Sequence, residues 1–243
     1  MGVTTSNRPR GRRAAEQAPP LTEQAYRAIK RDILSNALAP GAPLPVERFI
    51  REMRLSRTPV REAILRLERE GFVEVRPRLG TFVAHLDLRK IREMYHVRGV
   101  LEGAAARLAA ATLDAGRIDA VEVELRSQKT SGDIDLAAIS EAGQNVHRLI
   151  VDHCGSQVLA DTIRSLQDHF VRFRHLSLHL PEKVLSSHQE HIAIVEALKR
   201  RSGDDAEGLV RSHFEHAAQF LMESLIQRPD LCGGFRMSLP AAI

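Results

Sequence analysis

The stretch from Leu55 to Phe72, LSRTPVREAILRLEREGF, constrains the fold more tightly than any other segment of the chain. Thr58 carries a hydroxyl able to cap free helix amides. Pro59 suits the opening of a helix, where its missing N–H would have no partner anyway. Val60, Ala63, Ile64 and Leu67 then fall at i, i+3, i+4 and i+7, so one face turns inward. Arg57 and Arg61 stay on the outer side beside the helix N-terminus. A recognition helix meets base edges and phosphates in a duplex groove at that place, and arginine can pair bidentately with guanine O6 and N7 for about 1–3 kcal/mol of discrimination.

The flanks fix what surrounds this helix. Leu21, Ala25, Ile29 and Ile33 recur at amphipathic spacing with Thr22 as the expected N-cap, and the loop APGAPLP, residues 39–45, is expected to stop that helix. A short helix is predicted over 46–53. After the arginine-bearing helix, FVEVRPRLGTFVAHL places β-branched and aromatic residues on both sides of a Pro/Gly turn, the pattern of a hairpin. Three helices and a hairpin in this order predict a winged helix-turn-helix over residues 21–86. Charge agrees with a polyanionic partner: the whole chain is +4, but residues 1–86 hold 16 Lys and Arg against 9 Asp and Glu, leaving the remainder net acidic. Residues 1–20 read as a disordered basic arm.

Beyond Asp87 the pattern becomes helical almost throughout. Helices are expected around Tyr95–Leu108 and over 139–151, 159–178, 185–199 and 206–225, with breaks at LDAGRID, TSGDID, HCGS, HLPEK and RRSGDD. The fold class is therefore mainly α: a winged domain, then an all-helical effector-binding and dimerisation domain over 87–228, then an irregular tail over 229–243. No apolar run approaches the roughly 20 residues that span a bilayer, and the N-terminus lacks the apolar core of a secretion signal, so a cytoplasmic protein with no membrane partner is expected. Cys154 and Cys232 have no CxxC spacing and read as unpaired thiols.

Three histidines lie on the apolar phase of their helices: His147 with Gly143, Ile150 and Val151; His191 with Val195 and Leu198; His213 with Leu209, Ala217 and Phe220. Neutral imidazoles from facing helices of a bundle can hold a divalent ion, with zinc or nickel the expected metal; the alternative is a metal-free polar pocket. No organic cofactor is expected. His188 and His216, each three residues from one of these, are alternative ligands or outer partners. Arg98, Arg172 and Arg174 are the candidates to clamp a small carboxylate metabolite in the same cavity.

The N-terminal segment, LTEQAYRAIKRDIL followed by LAPGAPLPVERFIREMRLSRTPVREAILRLEREGFVEVRPRLGTFV, resembles the DNA-binding domain of the GntR family of bacterial transcription factors over residues 21–84. The resemblance implies DNA contacts from Arg48, Ser56, Arg57, Thr58 and Arg61, with Gly80 at the wing tip approaching the minor groove; Arg78 is a wing candidate from its charge. Arg54 departs from the family's turn glycine. The second half, through MYHVRGVLEGAAARLAA and HQEHIAIVEALKRRSGDDAEGLVRSHFEHAAQFL, resembles the FCD effector domain of the FadR subfamily. That likeness implies a divalent ion on His147, His191 and His213 and places Arg98 on a pocket-lining helix. The family's Asp or Asn four residues before the first histidine is Gly143 here.

The expectation is a homodimeric regulator, of the repressor kind, that binds a pseudo-palindromic double-stranded DNA operator and responds to a small organic acid. The rivals are a metal-dependent hydrolase, against which HQEH falls one residue short of HExxH, and a regulator whose effector is the metal itself.

Overall fold

The computed structural model describes residues 19–227. Among these, the order is α1 (Leu21–Leu34), α2 (Val46–Met53), α3 (Arg57–Arg69), β1 (Val73–Arg76), β2 (Gly80–Val83), α4 (Leu88–Thr112), α5 (Ala115–Arg126), α6 (Leu136–Asp152), α7 (Gln157–Ser165), α8 (Gln167–Ser177), α9 (Pro181–Lys199) and α10 (Gly203–Gln227). The expected winged helix-turn-helix followed by an all-helical bundle is what forms. The basic arm (residues 1–18 of it), the tail and Cys232 lie outside the described residues.

Two cores organise the chain. The first gathers Ala25, Ile29 and Ile33 of α1, Phe49 of α2, Val60, Ala63, Ile64 and Leu67 of α3, and Phe72, Val73 and Val83 of the hairpin. The inward stripe read from α3 is thus its buried face. The hairpin is antiparallel, with Val73 opposite Val83 and Arg76 opposite Gly80. The loop 39–45 adds a third partner to it: Leu44 N–H donates to Thr81 O at 2.8 Å and Val83 N–H to Ala42 O at 2.9 Å. The second core runs from Leu86 to Leu225 through every helix from α4 to α10. Its long helices α4 and α10 run antiparallel at close range, because Gly99 faces Phe214 and Gly103 faces Glu207 and Arg211 without an intervening Cβ.

Helix starts in the bundle are set by short polar side chains: Asp87, Asp114, Asp135 and Ser156 accept from first-turn amides of α4, α5, α6 and α7. Pro181 opens α9.

Several local expectations are corrected. Thr22 lies inside α1 and its hydroxyl donates to Glu62 Oε2 at 2.8 Å, so it is no cap. That helix ends at Leu34, ahead of the 39–45 loop, with Asn36 left-handed at φ 57° just beyond. Helix α3 starts at Arg57, with Ser56 before it and no side-chain cap; Thr58 and Pro59 occupy the first turn, whose amides need no helical partner. The stretch expected as one helix from Leu159 to Leu178 breaks at Leu166 into α7 and α8. Helix α5 forms where no helix is expected: it buries little beyond Ile118 and Leu125, and Gly116 in its first turn reads as a turn signal.

Candidate functional site

Helix α3 presents Arg57, Thr58 and Arg61 to solvent, with Ser56 just before them, all beside its N-terminus. They border an open groove between α2, α3 and the hairpin, whose other walls include Glu47, Leu65, Val75 and Thr81. Arg57 is 82% exposed and reaches Glu47 at 3.1 Å, an exposed pair that a polyanion would readily displace. The hairpin turn, Pro77 to Leu79, carries Arg78 in a left-handed conformation at φ 64°; Gly80, at φ 115°, closes the turn as the first residue of β2. Arg48 differs from the other candidates. Its guanidinium bonds Asp32 at 2.6 Å and lies over Phe49, so in this conformation it ties α2 to α1. Arg54, in the place of the family's turn glycine, is left-handed at φ 53° as the C-cap of α2.

The second site is a cavity in the helical bundle, part of it open to solvent. Helices α6, α9 and α10 bring His147, His191 and His213 together, each buried, with one nitrogen of each within 4.8 Å of the others. His147 Nε2 and His191 Nε2 stand 3.1 Å apart. On the far side of the rings are two carboxylates that sequence reading missed. Glu102 of α4, fully buried, accepts from His147 Nδ1 and from Arg98 Nε at 3.0 Å. Glu190 of α9 accepts from His213 Nδ1 at 2.7 Å and from His216 Nδ1 at 2.7 Å. A clue to each was in the sequence: Glu102 stands one turn after Arg98, and Glu190 sits inside HQEH.

Two of the three imidazoles are held toward the neutral form. Burial, reinforced by His213 and His147, drives His191 well below the usual histidine range, and burial lowers His213 to about 4 against the opposing pull of Glu190. Burial would raise Glu102, but the His147 and Arg98 charges bring it down to about 2. A buried carboxylate that fixes a histidine's Nδ1–H leaves Nε2 as the free lone pair, the arrangement that orients imidazole toward a metal. The donor set suits a borderline divalent ion, since zinc–nitrogen bonds of about 2.0–2.1 Å place two ligand nitrogens a little over 3 Å apart. At Gly143 a Cβ would collide with the His191 ring. The imidazole therefore occupies the room that an Asp or Asn side chain would need there.

Arg98 and Arg174 both line the cavity, Arg98 held by Glu102 and Arg174 by Glu141 at 2.8 Å. Arg172 is corrected: it faces away from the cavity, and its Nη2 donates to Ala84 O at 3.1 Å at the junction of the two halves. It follows from helix phase, since α8 turns Phe170, Arg174 and Ser177 to the cavity and Asp168, His169 and Arg172 to the winged half. There Asp168 meets Lys30 Nζ at 2.5 Å, and His169 stacks on Phe72 with ring centres 4.3 Å apart and hydrogen-bonds the Glu70 carbonyl at 3.1 Å. His188 is buried without a bonding partner for Nδ1 and is not part of the three-histidine cluster; His216 is exposed.

Comparison with known proteins places the chain in a family. Residues 21–83 match the description "Bacterial regulatory proteins, gntR family", and residues 93–216 match the FCD domain. The chain belongs to the GntR family. This GntR regulator is 31% identical over 216 residues to the HTH-type transcriptional regulator YdfH of Escherichia coli O6:H1, covering 87% of this chain and 93% of that one. It is 30% identical to the HTH-type transcriptional repressor RspR of Escherichia coli K12, with the same coverage. Among solved structures it shares its fold with a putative GntR regulator from Rhodococcus sp. RHA1 (TM-score 0.66, 21% identity, 84% of this chain and 98% of that one). It does so too with McbR/YncC of Escherichia coli (TM-score 0.63, 21% identity, 85% and 99%). The matched families and relatives are transcriptional regulators and not enzymes, which sets the hydrolase reading aside. Among the described residues no helix is long and apolar enough to cross a membrane.

Proposed function

We propose that this GntR regulator is a homodimeric repressor whose two winged domains read a pseudo-palindromic operator, controlled by a small organic acid held in the histidine cavity together with a divalent ion, zinc or nickel. The observation that carries this reading is the convergence of three buried imidazoles, two of them braced by carboxylates, in a cavity also lined by Arg98 and Arg174. His147, His191 and His213 would hold the ion, which when bound supplies positive charge for a carboxylate. Arg98 and Arg174 orient the acid's oxygens, while Tyr95, Phe170 and Phe214 shield it from water.

Helix α8 supports the coupling. One face borders the cavity and the other is bonded to α1, the hairpin junction and Ala84, so a ligand that favours one placement of α8 shifts the winged domain by its differential affinity for the two placements. Self-association is supported by an exposed apolar stripe on α4, Val97, Val100 and Leu108 at 47%, 40% and 47% exposure, which a second copy would cover. The repressor assignment follows the name of the RspR relative.

A thermal-shift screen of small organic acids, run with Zn²⁺, with Ni²⁺ and with EDTA, tests this. Metal should raise the melting temperature and an acid should raise it further, since a ligand selective for the folded chain adds stability by mass action. A melting temperature that ignores both metal and acids contradicts the reading.

A further inference from the structure

The side chains lining the cavity include three cations, Arg98, Arg174 and Lys183, and no aspartate or glutamate. Two of the cations are already committed: Arg98 to Glu102 at 3.0 Å and Arg174 to Glu141 at 2.8 Å. Lys183 is not. Among the described residues its ammonium makes no hydrogen bond and no ion pair; beyond burial, it feels a through-space attraction to Glu190. Half-buried on the first turns of α9, it lies on the same helical stripe as Ser187 and His191, at i, i+4 and i+8, all three facing the cavity. Eight residues of helix put Lys183 about 12 Å along the axis from His191. The stripe thus runs from a cation through a hydroxyl to an imidazole of the metal-type cluster.

A desolvated ammonium without a counterion is costly, and here burial drives its pKa down to about 8. A chain that keeps such a group in a ligand cavity gains most when a ligand supplies the missing negative charge. We infer that Lys183 is a second anion-recognition point, so that the cavity selects a short acid with an acidic group at each end, one toward the three histidines and the other on Lys183, over a monoacid of the same length. This inference rests on the organic-acid reading above and names the ligand class within it.

The test uses the full chain loaded with Zn²⁺ and calorimetric titration with two matched pairs: succinate against butyrate, and glutarate against valerate. Each diacid should bind at least tenfold more tightly than its partner, as expected for one additional charge-assisted hydrogen bond in a shielded site. Lys183→Met should abolish the preference while leaving monoacid affinity and the Zn²⁺ isotherm within twofold, and Lys183→Arg should retain most of it. Equal binding of diacids and monoacids by the unaltered chain, absence of binding by all four, or a preference that survives in Lys183→Met overturns the inference. A Zn²⁺ titration without acid, on the unaltered chain and on His191→Ala, separates the two readings. A chain that binds Zn²⁺ through His191, and monoacids as well as diacids, loses only the assignment of Lys183. A chain that binds neither metal nor acid loses both.

Discussion

Arg54 and Gly143 are two positions where this chain departs from the pattern that the family resemblance implies, and each departure has a local physical consequence. Arg54 is left-handed at φ 53°, a conformation that costs an L-residue about 1–2 kcal/mol and a glycine almost nothing. Arg54→Gly should therefore raise unfolding stability by about 0.5–1 kcal/mol once the larger entropy of an unfolded glycine is subtracted, as read by urea denaturation. Gly143 works in the opposite sense. Restoring the family's carboxylate by Gly143→Asp should weaken Zn²⁺ binding at least tenfold, because the new Cβ displaces the His191 ring; tighter binding would show that the ring can step aside. The residues that read as functional from sequence were those whose chemistry is conspicuous at helical spacing: the arginines of α3 and the three histidines. Glu102, Glu190 and Lys183 escaped notice because a single charged residue on an amphipathic helix normally faces solvent. Their burial is decided by how α4 and α9 pack, which no local pattern encodes.

Helix α8 shows the same limit one level up. Its phase could not be read while 159–178 looked like one continuous helix; the break at Leu166 rotates the second segment, and Arg172 leaves the cavity for the Ala84 carbonyl. The consequence is a contact that titrates. His169 is lowered to about 4, first by burial and then by the Lys90 charge. A histidine with a depressed folded pKa stabilises fully above its unfolded value near 6.5, and that contribution is lost as pH falls from there toward 4. Unfolding stability should thus drop by about 2 kcal/mol more in the unaltered chain than in His169→Phe between pH 7 and pH 4.5, measured by urea denaturation at both pH values. Parallel losses in the two proteins would mean that His169 carries no such load. The elements around this contact were far easier to read: α3 and the hairpin were legible because local spacing and the buried face agree there, and the starts of the bundle helices because Asp, Ser and Pro mark them chemically.

At the scale of the whole molecule, two cores are joined by α8 and by the Ala84–Leu86 segment, the contact through which the proposed function would couple operator affinity to cavity occupancy. If the α4 stripe is the dimer contact, Val97→Glu with Val100→Glu should give a monomer by light scattering and lower operator affinity at least tenfold, since one winged domain then binds alone. Replacing Arg57 and Arg61 by alanine should cost about 1–3 kcal/mol of operator selectivity per base-reading contact without changing oligomeric state. The central claim, that the buried histidines govern what α3 does at DNA, is tested most directly by one binding curve. Anisotropy titration of an operator duplex, selected by the unaltered chain from a random-sequence library, should be run with EDTA, with Zn²⁺, and with Zn²⁺ plus succinate, on the unaltered chain and on the His147→Ala, His191→Ala, His213→Ala triple variant. A change in affinity of about 5- to 150-fold between conditions, present in the unaltered chain and absent in the variant, is the predicted result; superimposable curves for both proteins under all three conditions would contradict it.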